Sequence, residues 1–352
     1  AATNLMHPMM RSFLLVATPL KELAMPLVLG PSDVKKATNM RQMIDVIEDG
    51  IREQATGNVS MPPRQNLATS NGFFRVMPAV MRAGGKMGIK IFNGSVEHGV
   101  RYIILIYDEK GGELLCMMDA AYLTGARTGA TTGIATRHQA RENAKTVGII
   151  GSGLEARTNF AAVCSVREIE SARVFSPTPA NRERFAQEMG NQLDIPVHPS
   201  ETPQAAVANS DIVVVATNTT GHTDTIAYYG SWMTKGQHIN SIGATGGHLR
   251  EIDPQAFFKA DRILMDTIVG VKEESGDSFA AIDADAWDDS KIIELPQVLD
   301  GLPARKNDEQ ITLFKSVGSA VQDVMAGFAV YEQAQAQGLG LQINDFLEHK
   351  IF

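Results

Sequence analysis

The run Val147-Gly-Ile-Ile-Gly151-Ser-Gly153-Leu-Glu-Ala156 sets a G-x-G-x-x-A turn between an apolar strand and a helix. Gly151 permits the tight turn, Gly153 lets the backbone approach a pyrophosphate, and Ala156 lets the helix sit close to the sheet. The phosphates would meet free N–H groups and the positive end of the helix dipole. Such a glycine pattern is weak alone. Here a strand precedes it, a helix follows, and a second strand ends about 25 residues on, the context that dinucleotide binding requires. Gly151, Ser152, Gly153 and Leu154 are the expected cofactor contacts.

An acidic residue closing the second strand would accept hydrogen bonds from the adenosine ribose and select NAD. The chain instead reads Val174-Phe175-Ser176-Pro177-Thr178, followed by Arg182 and Arg184. Small hydroxyls and a nearby arginine suit a 2′-phosphate, so Ser176, Thr178 and Arg182 tilt the expectation from NAD toward NADP. The plainer account has both arginines solvating a helix surface.

These residues need a scaffold. From Lys145 onward, strands at 146–150, 172–175, 211–216 and 238–242 alternate with helical stretches near 154–167, 180–190 and 203–209. That alternation implies right-handed crossovers and a parallel sheet. Upstream, Ser32-Asp33 signals a helix start, and apolar residues recur at Val34, Ala37, Met40, Ile44, Ile47 and Ile51, one helix face. Residues 61–107 carry short β-branched and aromatic runs between Gly and Pro, predicting an antiparallel sheet with strands at 73–77, 87–92 and 101–107. The stretch 118–141, rich in Ala, Thr and Gly, reads as a closely packed helix. A long helix over 312–337 is most economically returned to the N-terminal part. The expected fold is α/β: a Rossmann domain over 141–319 and a discontinuous α+β domain over 1–140 and 320–352.

Composition narrows the function classes. With 352 residues, two domains are the natural division. A net charge of -8 disfavours a general nucleic-acid or anionic-membrane footprint. The longest apolar run, 102–107, is strand-sized, far below a membrane span. Cys116 and Cys164 are too few for a disulfide framework or a thiolate zinc site, which fits a cytoplasmic setting. The histidines show no ligand spacing, so no metal is expected. Residues 1–26 read as an extra terminal strand or helix rather than a secretory signal.

Several segments together resemble the ornithine cyclodeaminase/mu-crystallin family: Arg75-Val-Met77-Pro-Ala, Gly88-Ile-Lys90, the run from Met118 through Arg127 to Ala130, the glycine loop, Lys272-Glu-Glu-Ser-Gly276-Asp277, and Phe314-Lys-Ser316-Val-Gly318. They stand in the family's order and span residues from about 30 to 335. The resemblance implies a Rossmann domain joined to a discontinuous substrate domain that also forms a homodimer. It also implies hydride transfer between a nicotinamide and the carbon that bears nitrogen beside a carboxylate.

Such chemistry needs cations to fix the carboxylate and a group to handle the proton on nitrogen. Arg127 matches the family arginine that holds the substrate carboxylate, a task suited to its planar fork. Arg64 falls near a second such arginine, although the loop to Met77 is about two residues short. Lys90 lies at the matching spacing after Met77 and is the general acid/base candidate; burial beside two arginines would lower its pKa. Met77 would line the pocket. Ser316 and Val317 match positions against the nicotinamide amide, and Asn218 falls where this fold places residues near the nicotinamide ribose. Asp277 would orient neighbouring groups or cap a helix.

One departure matters. Where cyclodeaminases carry a catalytic aspartate, this chain has Thr245, in Ile242-Gly-Ala-Thr245-Gly-Gly-His248. A threonine hydroxyl is too weak a base to assist ring closure, and His248 reads as a solvated loop residue. The expected activity is NAD(P)H-dependent reduction of a small α-imino acid (ketimine) to an L-amino acid, or the reverse dehydrogenation. The rivals are a cyclodeaminase-type lyase with recycled NAD and a non-catalytic ligand binder.

Overall fold

The computed structural model describes residues 25–95, 97–218, 226–344 and 346–348. Residues 1–24, the bulk of the expected extra terminal element, lie outside them. Two eight-stranded sheets organise the chain. The second is wholly parallel, in the spatial order Val197–Pro199, Ser171–Phe175, Thr146–Ile150, Ile212–Val215, His238–Ser241, Thr312–Lys315, Arg262–Met265, Ile292–Glu294. Its central strands are short and buried on both faces, as helices on either side require, and Ile212–Val215 is wholly apolar. Strand order reverses between Thr146–Ile150 and Ile212–Val215, and the crevice beyond their carboxyl ends is where a doubly wound Rossmann sheet receives its ligand.

The first sheet is mixed rather than purely antiparallel, because Leu27–Leu29 runs parallel to Leu114–Asp119. Its centre is a meander of three ten-residue strands, Gly72–Met81, Lys86–Ser95 and Gly99–Asp108. Residues Gly88, Lys90 and Phe92 alternate onto the buried face of the middle strand. The helix Ala320–Gln337 packs on that face: a Cβ at Gly88 would lie 3.1 Å from Val324.

Three boundaries differ from the sequence reading. The periodic face over 34–51 belongs to two helices, Pro31–Ala37 and Met40–Ala55, because Asn39 is extended and caps the second by accepting from the Gln42 N–H at 3.1 Å. The helix expected from 118 begins at Ala121; Met118 and Asp119 finish a strand of alternating burial. The helix expected from 312 begins at Ala320, since Thr312–Lys315 is a fully buried strand of the parallel sheet and Gly318 turns the chain at φ 86°.

The sheets are joined by two helices pressed together. In Ala121–Gln139, glycines recur at 125, 129 and 133, and a Cβ at Gly129 would stand 2.5 Å from the Thr158 carbonyl oxygen. That closeness lets Leu154–Val166, the helix after the glycine loop, lie backbone to backbone on the helix that carries Arg127. The Thr158 hydroxyl donates to the Gly125 carbonyl at 2.8 Å and pins the contact.

Candidate active site

Lys90 comes from the middle strand of the first sheet, with Met77 as its register partner, and both are buried. A lysine there must find an anion, because an ammonium in apolar surroundings otherwise loses its charge. Asp323, one turn into the returning helix and 0% exposed, supplies it: the Lys90 Nζ stands 2.7 Å from Asp323 Oδ2. Arg127 Nε reaches the other oxygen at 2.8 Å, and the Arg127 guanidinium also donates to Gln322 Oε1 at 2.9 Å. Burial pushes the Lys90 ammonium down to about 7, Asp323 opposing the shift and Arg127 adding to it.

Arg64 arrives from the loop before Gln65–Thr69. It pairs with Glu274 at 2.9 Å and donates to the Val317 carbonyl at 2.8 Å. The turn 316–318 is therefore shared, since a Cβ at Gly318 would lie 2.5 Å from the Arg127 guanidinium. Asp266 holds that turn: its carboxylate accepts from the Ser316 hydroxyl at 2.7 Å and from the Gly318 N–H at 2.6 Å. The structure thus gathers Lys90, Arg127, Arg64, Met77, Ser316 and Val317 into one buried cluster between the sheets. Thr245 stands half-buried in the loop after His238–Ser241, and among the described residues no side-chain hydrogen bond or ion pair joins it to that cluster. His248 is exposed.

The nucleotide side is built at the crevice. Gly151 adopts φ 119°, and a Cβ there would meet the Ala216 carbonyl oxygen at 2.2 Å, so only glycine closes this turn. Gly153 opens onto free space and is the N-cap of Leu154–Val166, which no side chain caps. Uncapped N–H donors at a helix start beside an open glycine fit a pyrophosphate. The Ser152 hydroxyl donates to that of Ser176 at 3.0 Å, and Arg182, buried, donates to the Ser176 carbonyl at 3.2 Å and pairs with Glu201. Thr178 begins the next helix without using its hydroxyl as a cap. Asn218 follows Ile212–Val215, adjoining residues 219–225, which are not among those described.

Asp277 accepts from the N–H groups of Glu251 at 2.9 Å and Ile252 at 3.1 Å and from Lys315 Nζ at 2.7 Å. It anchors a buried network rather than a helix end. Sequence reasoning passed over Asp323, Asp266, Glu274 and Glu155. Asp323 had a signal, a lone carboxylate in Ala320-Val-Gln-Asp-Val-Met-Ala that an apolar helix cannot bury unpaired. Glu155, in the first turn after the glycine loop, has a buried Oε2 without a hydrogen bond. Burial raises its carboxyl to about 7 against the pull of Arg127 and Lys90.

The chain is similar to proteins already known. The chain is 31% identical over 328 residues to a Delta(1)-pyrroline-2-carboxylate reductase of Bacillus cereus, covering 90% of this chain and 99% of that one. It is 30% identical to an alanine dehydrogenase of Archaeoglobus fulgidus, covering 91% and 98%. The structure of Thermococcus litoralis Delta(1)-pyrroline-2-carboxylate reductase in complex with NADH and L-proline superposes with a TM-score of 0.84 at 35% identity, over 90% of this chain and all of that one. Residues 25–338 match the model of a single family, and the chain belongs to it: the ornithine cyclodeaminase/mu-crystallin family.

Proposed function

We propose that the protein is an NAD(P)H-dependent reductase of a small α-imino acid, running in reverse as an amino-acid dehydrogenase. The observation that carries this reading is Lys90, buried between Asp323 and Arg127 and brought near 7, where it can both give and take a proton. A dinucleotide would be held by Gly151, Ser152, Gly153 and Leu154, with Ser316, Val317 and Asn218 toward the nicotinamide, and when bound and reduced it supplies the hydride. The 141–319 segment serves the cofactor in this reading; the rest serves the substrate and, as in the family, a homodimer.

Arg127 and Arg64 hold the substrate carboxylate, exchanging part of their contacts with Gln322 and Glu274 for it. Lys90 Nζ donates its proton to the imine nitrogen, which makes the adjoining carbon more electrophilic. Asp323 keeps that proton on Nζ until substrate arrives. Ser176, Thr178 and Arg182 support NADP over NAD, because hydroxyls and a guanidinium meet where an acidic residue would select NAD. Glu201 already pairs with Arg182, so a 2′-phosphate must compete with it.

The test follows NADPH and NADH absorbance with the purified protein against cyclic ketimines and against 2-oxo acids with ammonia. Turnover with one compound, abolished in Lys90→Ala and Arg127→Ala, is expected. No turnover with any compound while the dinucleotide binds would return the lyase or the non-catalytic binder to first place.

A further inference from the structure

The cations of this cluster are unequally provided for. Lys90 and Arg127 share Asp323, and Arg64 has Glu274. Arg75, on the same strand face as Met77 and in register with Phe92, has no ion pair or hydrogen bond from its guanidinium among the described residues, and its Nε is buried without a partner. The guanidinium rests against two rings, 4.6 Å from the centroid of Phe73 and 5.6 Å from that of Phe92. Phe92 also carries the Lys90 ammonium, 5.1 Å from its centroid. Ring contact offsets only part of the desolvation of a guanidinium. Burial and the neighbouring Arg64 hold the Arg75 guanidinium below its ordinary value, with Glu274 partly opposing.

We propose that Arg75 receives a second anionic group of the substrate, so that the preferred substrates are 2-imino dicarboxylic acids. The inference rests on the reductase reading, with Arg127 and Arg64 on the α-carboxylate and Lys90 on the imine nitrogen. Met77 is in register with Lys90, and Arg75 stands two residues, about 6.8 Å, along the strand from Met77, so an imine nitrogen at Lys90 and a second carboxylate at Arg75 stand at a separation that a four- or five-carbon diacid with its hydrogen bonds spans. Of the four cations, Lys90 and Arg127 pair directly with Asp323 and Arg64 with Glu274, and Asp266 stands behind the turn that Arg64 and Arg127 touch, so Arg75 alone among them has no carboxylate in contact among the described residues. A substrate with a second carboxylate gives Arg75 an anion; a monocarboxylate leaves Arg75 without one.

The experiment compares oxaloacetate and 2-oxoglutarate with ammonia against pyruvate with ammonia and a cyclic ketimine, in wild type, Arg75→Gln and Arg75→Lys. It adds the unfolding temperature in succinate against propionate. Wild type should favour a dicarboxylic compound by about 100-fold in kcat/KM. Arg75→Gln should lose most of that preference while pyruvate turnover stays within about 5-fold, Arg75→Lys should recover part, and succinate should raise the unfolding temperature of wild type only. Monocarboxylic imines reduced as well as dicarboxylic ones, or an Arg75→Gln loss equal for all compounds, overturns the inference and leaves the reductase reading standing. If nothing is reduced, that reading falls, and a succinate shift lost in Arg75→Gln still upholds the anion site; absence of the shift removes both.

Discussion

Two buried lysines, Lys90 and Lys315, face carboxylates in this molecule, and their surroundings are built on opposite principles. Lys315 donates to Ser241 Oγ at 3.0 Å and to Asp277 Oδ2 at 2.7 Å. Its neighbour Glu251 accepts from the Ser241 hydroxyl, the Gly243 N–H, and both the N–H and hydroxyl of Thr217. Every charge in that network has directed partners. Around Lys90 the same charges meet at ion-pair distance, yet both oxygens of Asp323 and the Arg127 Nε lack hydrogen-bond geometry. A complete network fixes a loop. An incomplete one is ready to exchange partners with a ligand.

The comparison can be broken most directly by removing each lysine. Lys315→Met should cost about 3–5 kcal/mol of folding stability, because it strands two buried carboxylates, measured as a lower denaturant midpoint. Lys90→Met should leave stability far closer to wild type, since Arg127 still serves Asp323, while kcat falls by about 10²–10⁴-fold. Equal losses of stability would erase the distinction.

The pH dependence sharpens it. The ordinary lysine value of 10.5 holds in the unfolded chain, whereas folded Lys90 titrates near 7. Between these values the unfolded chain binds the extra proton, so Lys90's contribution makes stability rise with pH over that window. Lys90→Met should flatten that slope. Imine reduction should decline as pH rises through about 7, and Asp323→Asn, which removes the group holding the proton on Nζ, should move that decline to lower pH by about one unit. A decline unmoved in Asp323→Asn would detach it from Lys90.

The smallest effect is expected at the far end of the crevice. Arg182→Ala should raise KM for NADPH by about 10-fold while leaving that for NADH within about 2-fold. An equal change for both would make Arg182 a support for Ser176 and Glu201 only.

The glycine loop and the alternation after Lys145 made the parallel sheet legible, because small residues at fixed offsets leave few other uses for them. The strand Thr312–Lys315 was not, for four buried residues ahead of a helix carry no periodicity of their own. At the site, Lys90 and Arg127 stood out as cations among apolar or small residues. Their shared partner Asp323 lies more than 190 residues beyond Arg127, and only the packing of the returning helix brings it there. Glu274 and Asp266 were hidden likewise, since an acidic residue in a loop looks solvated until a distant arginine or turn meets it.

The seam where Gly129 meets the Thr158 backbone has a mechanical consequence. Two helices touching through main chain leave no side chain between them to repack, so even the one added methyl of Gly129→Ala must part the helix that carries Arg127 from the helix that follows the glycine loop, and a change far from any reacting atom would be felt at both.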